Sequence, residues 1–388
     1  MYKSIGIIGI GNCGSQVAAL AEKKYPKLID SIYMNTSDSD LAQVDEGVYK
    51  FKIGNKAEVE GSGKNRTKMK EYLLADIQRL LQDVKFQEIM SYKKYVFIVA
   101  STAGGTGSGA APVLMEVLRA CFKDAHFILV GVLPSIQASL MEQGNALEFL
   151  HELYHDVDQS TTYMIYDNET AVDHSPTKAL EVVNNNIVED IRVLSGADNY
   201  PTPYDSIDEA DMESIITTPG RLLVSRVTSG ITEKVMEDTL IDDIIIKNIK
   251  KSSHAETDRN KKVVRWGIIT YFTEAVNKLY ITNFDKLTDF IGVPVERFNH
   301  HAIHHSAENL NFLHLIASGL SPINDRSERI TERIEVLKGA LAEDDASRYI
   351  YGGESVSYDV TETRRKEVKM RDVAPVKPTE IFSKFMKK

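Results

Sequence analysis

"STAGGTGSGAAP", residues 101–112, directly follows the apolar run "YVFIVA" at 95–100. Glycine loses much conformational freedom on ordering. A stretch holding Gly104, Gly105, Gly107 and Gly109 therefore marks backbone that must bend sharply or lie against something. The apolar run reads as a buried strand and "AAPVLMEVLRACF" as a helix, so the glycines occupy a strand-to-helix joint. Such a joint offers unpaired backbone N–H groups and the positive end of a helix dipole, and Thr106 and Ser108 add hydroxyl donors. The guest that suits it is a phosphate.

A second glycine loop precedes it. Gly9-Ile10-Gly11-Asn12-Cys13-Gly14 matches G-x-G-x-x-G, after a strand ("SIGII", 4–8) and before a helix from about Gln16 to Lys24. A dinucleotide-binding chain would want an acidic residue closing the second strand, "SIYMN" (31–35). Here that strand ends in Asn35, with Asp38 three residues on. An NAD-dependent oxidoreductase is thus the alternative reading. Two glycine loops on one sheet edge fit a nucleoside triphosphate better than one pyrophosphate, and no G-x-x-x-x-G-K-[ST] exists.

Working outward, "VYKFKI" (48–53), "HFILVGVLP" (126–134) and "TTYMIYDN" (161–168) read as further strands. Helices are expected over 67–84 and 140–156. Alternating strands and helices predict an α/β fold with a parallel sheet covered on both faces. Ser175 and Pro176 open a helix to about Ser195, with Leu180, Val183, Ile187, Ile191 and Leu194 on one face. "GADNYPTPYDS" (196–206) marks a domain joint. A second αβ region has helices near 209 and 230–250, strands at 263–273, 278–283 and 312–320, and a charged helix over 325–341. "HHAIHH" (300–305) reads as a polar helix face, so no metal site is expected. The expected divisions are 1–175, a central helix at 176–200, a smaller α+β domain at 201–322, a C-terminal helix at 323–345 and a mobile basic tail at 346–388.

The chain has 388 residues and a net charge of −10, against a general nucleic-acid binder. No apolar run approaches a membrane span. Two cysteines, Cys13 and Cys121, fit a reducing cytoplasm. Arg364 to Lys388 holds nine Lys/Arg against three Asp/Glu, a basic end suited to DNA, an adaptor or filament contact.

"AGGTGSG" resembles the signature loop of the tubulin/FtsZ superfamily. "GNCGSQ" (11–16), "NTSD" (35–38), "GSGKNR" (61–66), "LPS" (133–135) and "YDN" (166–168) resemble its other nucleotide loops, in the family's order. "ITTPG" (216–220) and "LIASGLSP" (315–322) are most similar to the plasmid and phage branch, TubZ and PhuZ. Ala103 stands where the family usually has glycine. The resemblance implies a tubulin/FtsZ-type nucleotide-binding domain, with GTP/GDP and Mg²⁺ held by Gly11, Asn12, Cys13, Gln16, Asn35, Gly61, Gly63, Lys64, Asn65, Ala103, Gly104, Gly105, Thr106, Gly107, Ser108, Pro134, Asp167 and Asn168. It also implies an asparagine in "VVNNNIV" that reads guanine; spacing favours Asn185, with Asn184 and Asn186 open. Asp208 and Asp211, in "SIDEADMES", would polarise the attacking water on the next subunit's nucleotide. The implied function is a GTPase that polymerises head to tail into dynamic cytoplasmic filaments, for plasmid or DNA segregation or phage positioning in a bacterial cell.

Overall fold

The computed structural model describes residues 3–350, apart from 46–47, 56–59, 157–159, 172–174, 257–260, 282 and 307–309; the expected tail lies outside the described residues from 351 on. The chain divides into a body, Met1–Thr331, and a second unit, Glu332–Lys388.

Ten strands join in one sheet: β1 (Ile5–Ile10), β2 (Ile29–Asn35), β3 (Tyr49–Lys52), β4 (Tyr95–Ser101), β5 (His126–Leu133), β6 (Thr162–Asp167), β7 (Gly220–Val227), β8 (Arg265–Thr273), β9 (Glu296–His304) and β10 (Phe312–Leu320). Their order is β3-β2-β1-β4-β5-β6-β7-β10-β8-β9. The first six are parallel, β10 runs antiparallel to β7 and β8, and β9 is parallel to β8. β1 and β4 are buried along almost their whole length, as strands covered on both faces must be. The α/β class and the mostly parallel sheet thus agree with the sequence.

The helices in the first half are α1 (Gly11–Lys24), α2 (Asp38–Ala42), α3 (Arg66–Gln82), α4 (Val84–Met90), α5 (Thr106–Cys121) and α6 (Leu140–His151), the last running on into a π-helical turn, Glu152–Asp156. Then come α7 (Pro176–Leu194), α8 (Glu209–Ile216), α9 (Glu233–Asp238), α10 (Ile241–Lys251), α11 (Glu274–Asn277), α12 (Asp285–Ile291) and α13 (Asn324–Ile350). α1, α7 and α8 pack on one face of the sheet with Ile5, Ile7, Phe97 and Val99. Gly131 turns to the other face, where a side chain would press on Phe149 of α6. A second core gathers Trp266, Phe272, Leu313 and Leu315 beneath α10 and α12.

α7 carries Asp190, buried, against Arg226 of β7, with His254 Nε2 at 2.9 Å and the Tyr166 hydroxyl donating at 2.7 Å. Although burial works against it, the charge of Arg226 and the hydrogen bond with His254 hold the carboxyl below the ordinary aspartate range.

Several expectations are corrected. "HHAIHH" is not helical; it ends β9, with His300, Ala302 and His304 buried on one face at strand spacing, nine rungs in register with β8. "KLYITN" forms no strand over its described residues, 278–281 and 283. α11 ends at Asn277, and Tyr280 packs its ring 5.5 Å from Phe272. The 230–250 helix is broken between Asp238 and Ile241, and the 67–84 helix ends at Gln82 because Asp83 caps α4. Leu180 is exposed; Ala179 packs against the core from the first turns of α7, and full burial begins at Val183. β7 and α12 were not anticipated, and α13 runs past the expected end at Leu341.

Candidate functional site

β1 and β4 are neighbours, but the chain leaves them in opposite directions along the sheet, to β2 and to β5. The crevice beyond their carboxyl ends is the topological switch point where α/β sheets bind ligands. α1 and α5 both start there. Neither has a side-chain cap: Ile10 and Gly105 hold the cap positions and accept nothing by side chain. Around them α2, α3, α4 and α6 are capped by Ser37, Asn65, Asp83 and Ser139. Two helix starts at the switch point therefore keep amide donors that no side chain caps, as the starts of α7, α10 and α12 also do.

The glycines divide by what surrounds them. A Cβ at Gly9 would strike the Gly14 carbonyl, and one at Gly14 the Val99 carbonyl oxygen; these two let α1 press onto β1 and β4. Gly104, Gly61 and Gly63 have nothing within 4 Å where a Cβ would stand. There the bare backbone faces open space. Ala103 has no left-handed φ and tolerates its methyl.

Three loops meet at hydroxyls. Thr106 Oγ1 lies 3.0 Å from Thr36 Oγ1 and donates to Ser62 Oγ at 3.2 Å, while the Gly61 N–H donates to the Thr36 carbonyl at 3.3 Å. Asn35 turns inward, receiving the Thr36 N–H at 2.8 Å and donating to Asp40 at 2.9 Å. The lysines nearby are already paired: Lys64 with Glu142 at 2.9 Å, Lys52 with Asp38 at 2.8 Å. An anion here would be held by helix starts, amides and hydroxyls more than by free cations.

The first loop also contacts α7. Gln16 Nε2 donates to Asn12 Oδ1 at 3.3 Å, and Asn184 Nδ2 donates to Gln16 Oε1 at 3.4 Å. Asn185 instead donates to the Glu181 carbonyl of its own helix at 2.8 Å, and Asn186 to Ser253. Burial pushes the Cys13 thiol up to about 12, so it is a neutral packing group.

Asp167 and Pro134 are drawn together by a residue sequence reading missed. Arg326, on the first turn of α13, is buried and donates to both Asp167 oxygens (2.5 and 3.2 Å) and to the Pro134 carbonyl (2.8 Å). The Asp167 carboxylate thus faces Arg326, while Asn168 Oδ1 is buried with no partner, a free acceptor at the same edge.

Asp208 and Asp211 are not at this edge. Asp208 caps α8: it accepts the Asp211 N–H at 2.8 Å, and the Asp211 carboxylate accepts the Asp208 N–H at 3.2 Å. Lys94, just before β4, ties the same helix down through Glu209 (2.7 Å) and Glu213 (3.0 Å), and holds Glu209 below the ordinary glutamate range. The glycine crevice lies past the other end of β4. Seven residues of strand put about 20 Å between the two places.

Among the described residues no group of three or more His, Cys, Asp or Glu forms a metal cage, and no helix is long and apolar enough to cross a membrane. A divalent cation would fit only as one carried largely by a ligand's phosphates and water.

Comparison with known proteins agrees with this geometry. The GTPase domain of the tubulin/FtsZ family matches residues 4–175. The tubulin-like protein TubZ of Clostridium botulinum C phage is 22% identical over 309 residues, 79% of this chain and 76% of that protein. A GTPγS-form protofilament structure of Bacillus thuringiensis serovar israelensis TubZ superposes at a TM-score of 0.70 with 16% identity, over 90% of this chain and 95% of that one. The GTPγS-bound protofilament of Haloferax volcanii CetZ2 gives 0.67 with 15% identity, over 87% and 100%. The match to the GTPase domain of the tubulin/FtsZ family thus spans residues 4–175 and takes in both glycine loops.

Proposed function

We propose that this chain binds GTP in the crevice between β1 and β4 and hydrolyses it only when a second copy, stacked head to tail, brings Asp208 and Asp211 to the γ-phosphate. The first turns of α1 and α5, with Gly104, Thr106, Gly61 and Gly63, take the phosphates. Gly11, Asn12, Cys13, Gln16, Asn35, Lys64, Asn65, Ala103, Gly105, Gly107 and Ser108 build the surrounding loops. Pro134, Asp167 and Asn168 bound the ribose edge. Asn184, through its contact with Gln16, is better placed than Asn185 to read the base, whose edge an amide matches with both donor and acceptor. Mg²⁺ would travel with the triphosphate.

One observation carries the reading: the phosphate crevice and the acidic pair stand at opposite edges of one sheet, too far apart to act within one chain. A carboxylate from a neighbour would orient the attacking water, the positioning that phosphoryl transfer requires. Such a contact is heterologous and makes a filament when its rotation does not close. Hydrolysis would then loosen the contact that enabled it. The filament would serve plasmid or DNA segregation or phage positioning in bacterial cytoplasm. Residues 1–175, 176–200 and 201–322 would act as nucleotide domain, central helix and activation domain, with the basic end free for DNA or an adaptor.

The test is Asp208→Asn, since asparagine caps α8 as well as aspartate does. GTP binding and assembly should survive while turnover falls about 100-fold. Undiminished turnover removes Asp208 from the reaction.

A further inference from the structure

We infer that Asn145, on α6, is the positioning residue of the phosphate crevice: its side-chain amide joins the 61–66 and 101–105 loops and sets the direction of their peptide groups. The inference rests on the guanine-nucleotide reading above. Asn145 is buried, and its Nδ2 donates to the carbonyls of Lys64 at 3.0 Å and Ala103 at 2.9 Å, with the Gly104 carbonyl at 3.5 Å. Three carbonyls can only accept, so the amide nitrogen is the atom that must face them. In a trans peptide the C=O and the following N–H point in opposite directions. Holding the Ala103 carbonyl toward α6 therefore turns the Gly104 N–H away from α6, and the Cβ position of Gly104 is itself open, with nothing within 4 Å. One side chain thus aims a donor at the place a phosphate would occupy, and fixes the neighbouring loop to the same support.

The rest of α6 repeats the pattern at helical spacing. Glu142 pairs with Lys64, and Glu148 with Arg66 at 3.1 Å. Glu152, where the helix widens into its π turn, also reaches Arg66, at 2.5 Å. Arg66 is buried and donates to the Ser108 carbonyl at 3.0 Å. That carbonyl is free for a physical reason: its helical partner would be residue 112, a proline with no N–H. Behind the crevice, then, one face of α6 grips α3, α5 and the turns that begin them.

The experiment compares wild type, Asn145→Asp and Asn145→Ser as full chains, well below their melting temperatures. Fluorescent GTP binding and competition by guanosine are measured. The aspartate keeps the shape and loses both donors. It should weaken GTP by about tenfold or more and leave guanosine unchanged, with residues 101–108 no longer shielded from deuterium exchange by GTP. The serine, with one donor, should fall between. A merely structural role would lower the melting temperature and leave both affinities alone; a folded Asn145→Asp with wild-type GTP affinity overturns the inference. If that variant does not fold, Asn145→Ser decides by the same ratio of GTP to guanosine affinity. Wild type that ignores GTP defeats the parent reading instead.

Discussion

Gly14 and Gly104 are the same residue type doing opposite work. At Gly14 a methyl group would collide with the backbone of β4, so Gly14→Ala should cost roughly 1–3 kcal/mol of stability, read from urea unfolding. At Gly104 a methyl group meets open space. Gly104→Ala should leave unfolding unchanged and weaken GTP, and equal losses of stability in the two variants would refute the division. His126 makes a separate single-residue prediction. Burial, aided by the charge of Arg119, pulls its imidazole down to about 4 from an ordinary 6.5. Between those values the unfolded chain binds the extra proton and the folded one does not, so stability falls as pH drops from about 6.5 to about 4. His126→Gln should flatten that stretch of the pH profile, measured by thermal melts.

Elements explain why some parts could be read in advance and others not. The glycine loops were legible as strand-to-helix joints, because a run of glycines between an apolar strand and a helix marks a sharp bend or a close backbone approach, as at Gly9 and Gly14. β9 was illegible because histidines spaced four apart fit a helix face as well as alternate strand positions; pairing with β8 decides between them, and that partner is distant in sequence. Arg326 left no signal at all, since Asp167 lies 159 residues away. Their buried pairing fastens the first turn of α13 to the ends of β5 and β6. Removing one partner strands a buried charge, so Arg326→Met should destabilise the body by about 3–5 kcal/mol. The double variant Arg326→Met with Asp167→Asn should recover much of that loss, which a double-mutant cycle measures. The acids at α8 were legible only in part. Their spacing announced a helix start, and a reciprocal cap is what they form. The catalytic use proposed for them would depend on a surface the single chain does not contain.

At the scale of the whole molecule, the proposed function gives two ends of one sheet different jobs, and mixing tests the division. Asp208→Asn keeps the crevice and lacks the acid; Gly104→Asp keeps the acid and places a negative charge where phosphate would go. Each alone should be nearly inactive. Mixed in equal amounts they should regain a measurable share of wild-type GTPase, because some contacts pair a sound crevice with a sound acid. Mixtures no better than their components would contradict a shared centre. The sheet itself is uneven in a way that matters for such stacking. β4 and β5 share seven rungs, whereas β6 and β7 share two, Thr162 with Gly220 and Tyr163 with Arg221. A fabric woven so sparsely along one seam leans on its cross-ties there, so under the proposed stacking, load along the polymer would fall on the Tyr166–Asp190–Arg226 link while the panels on either side stay whole.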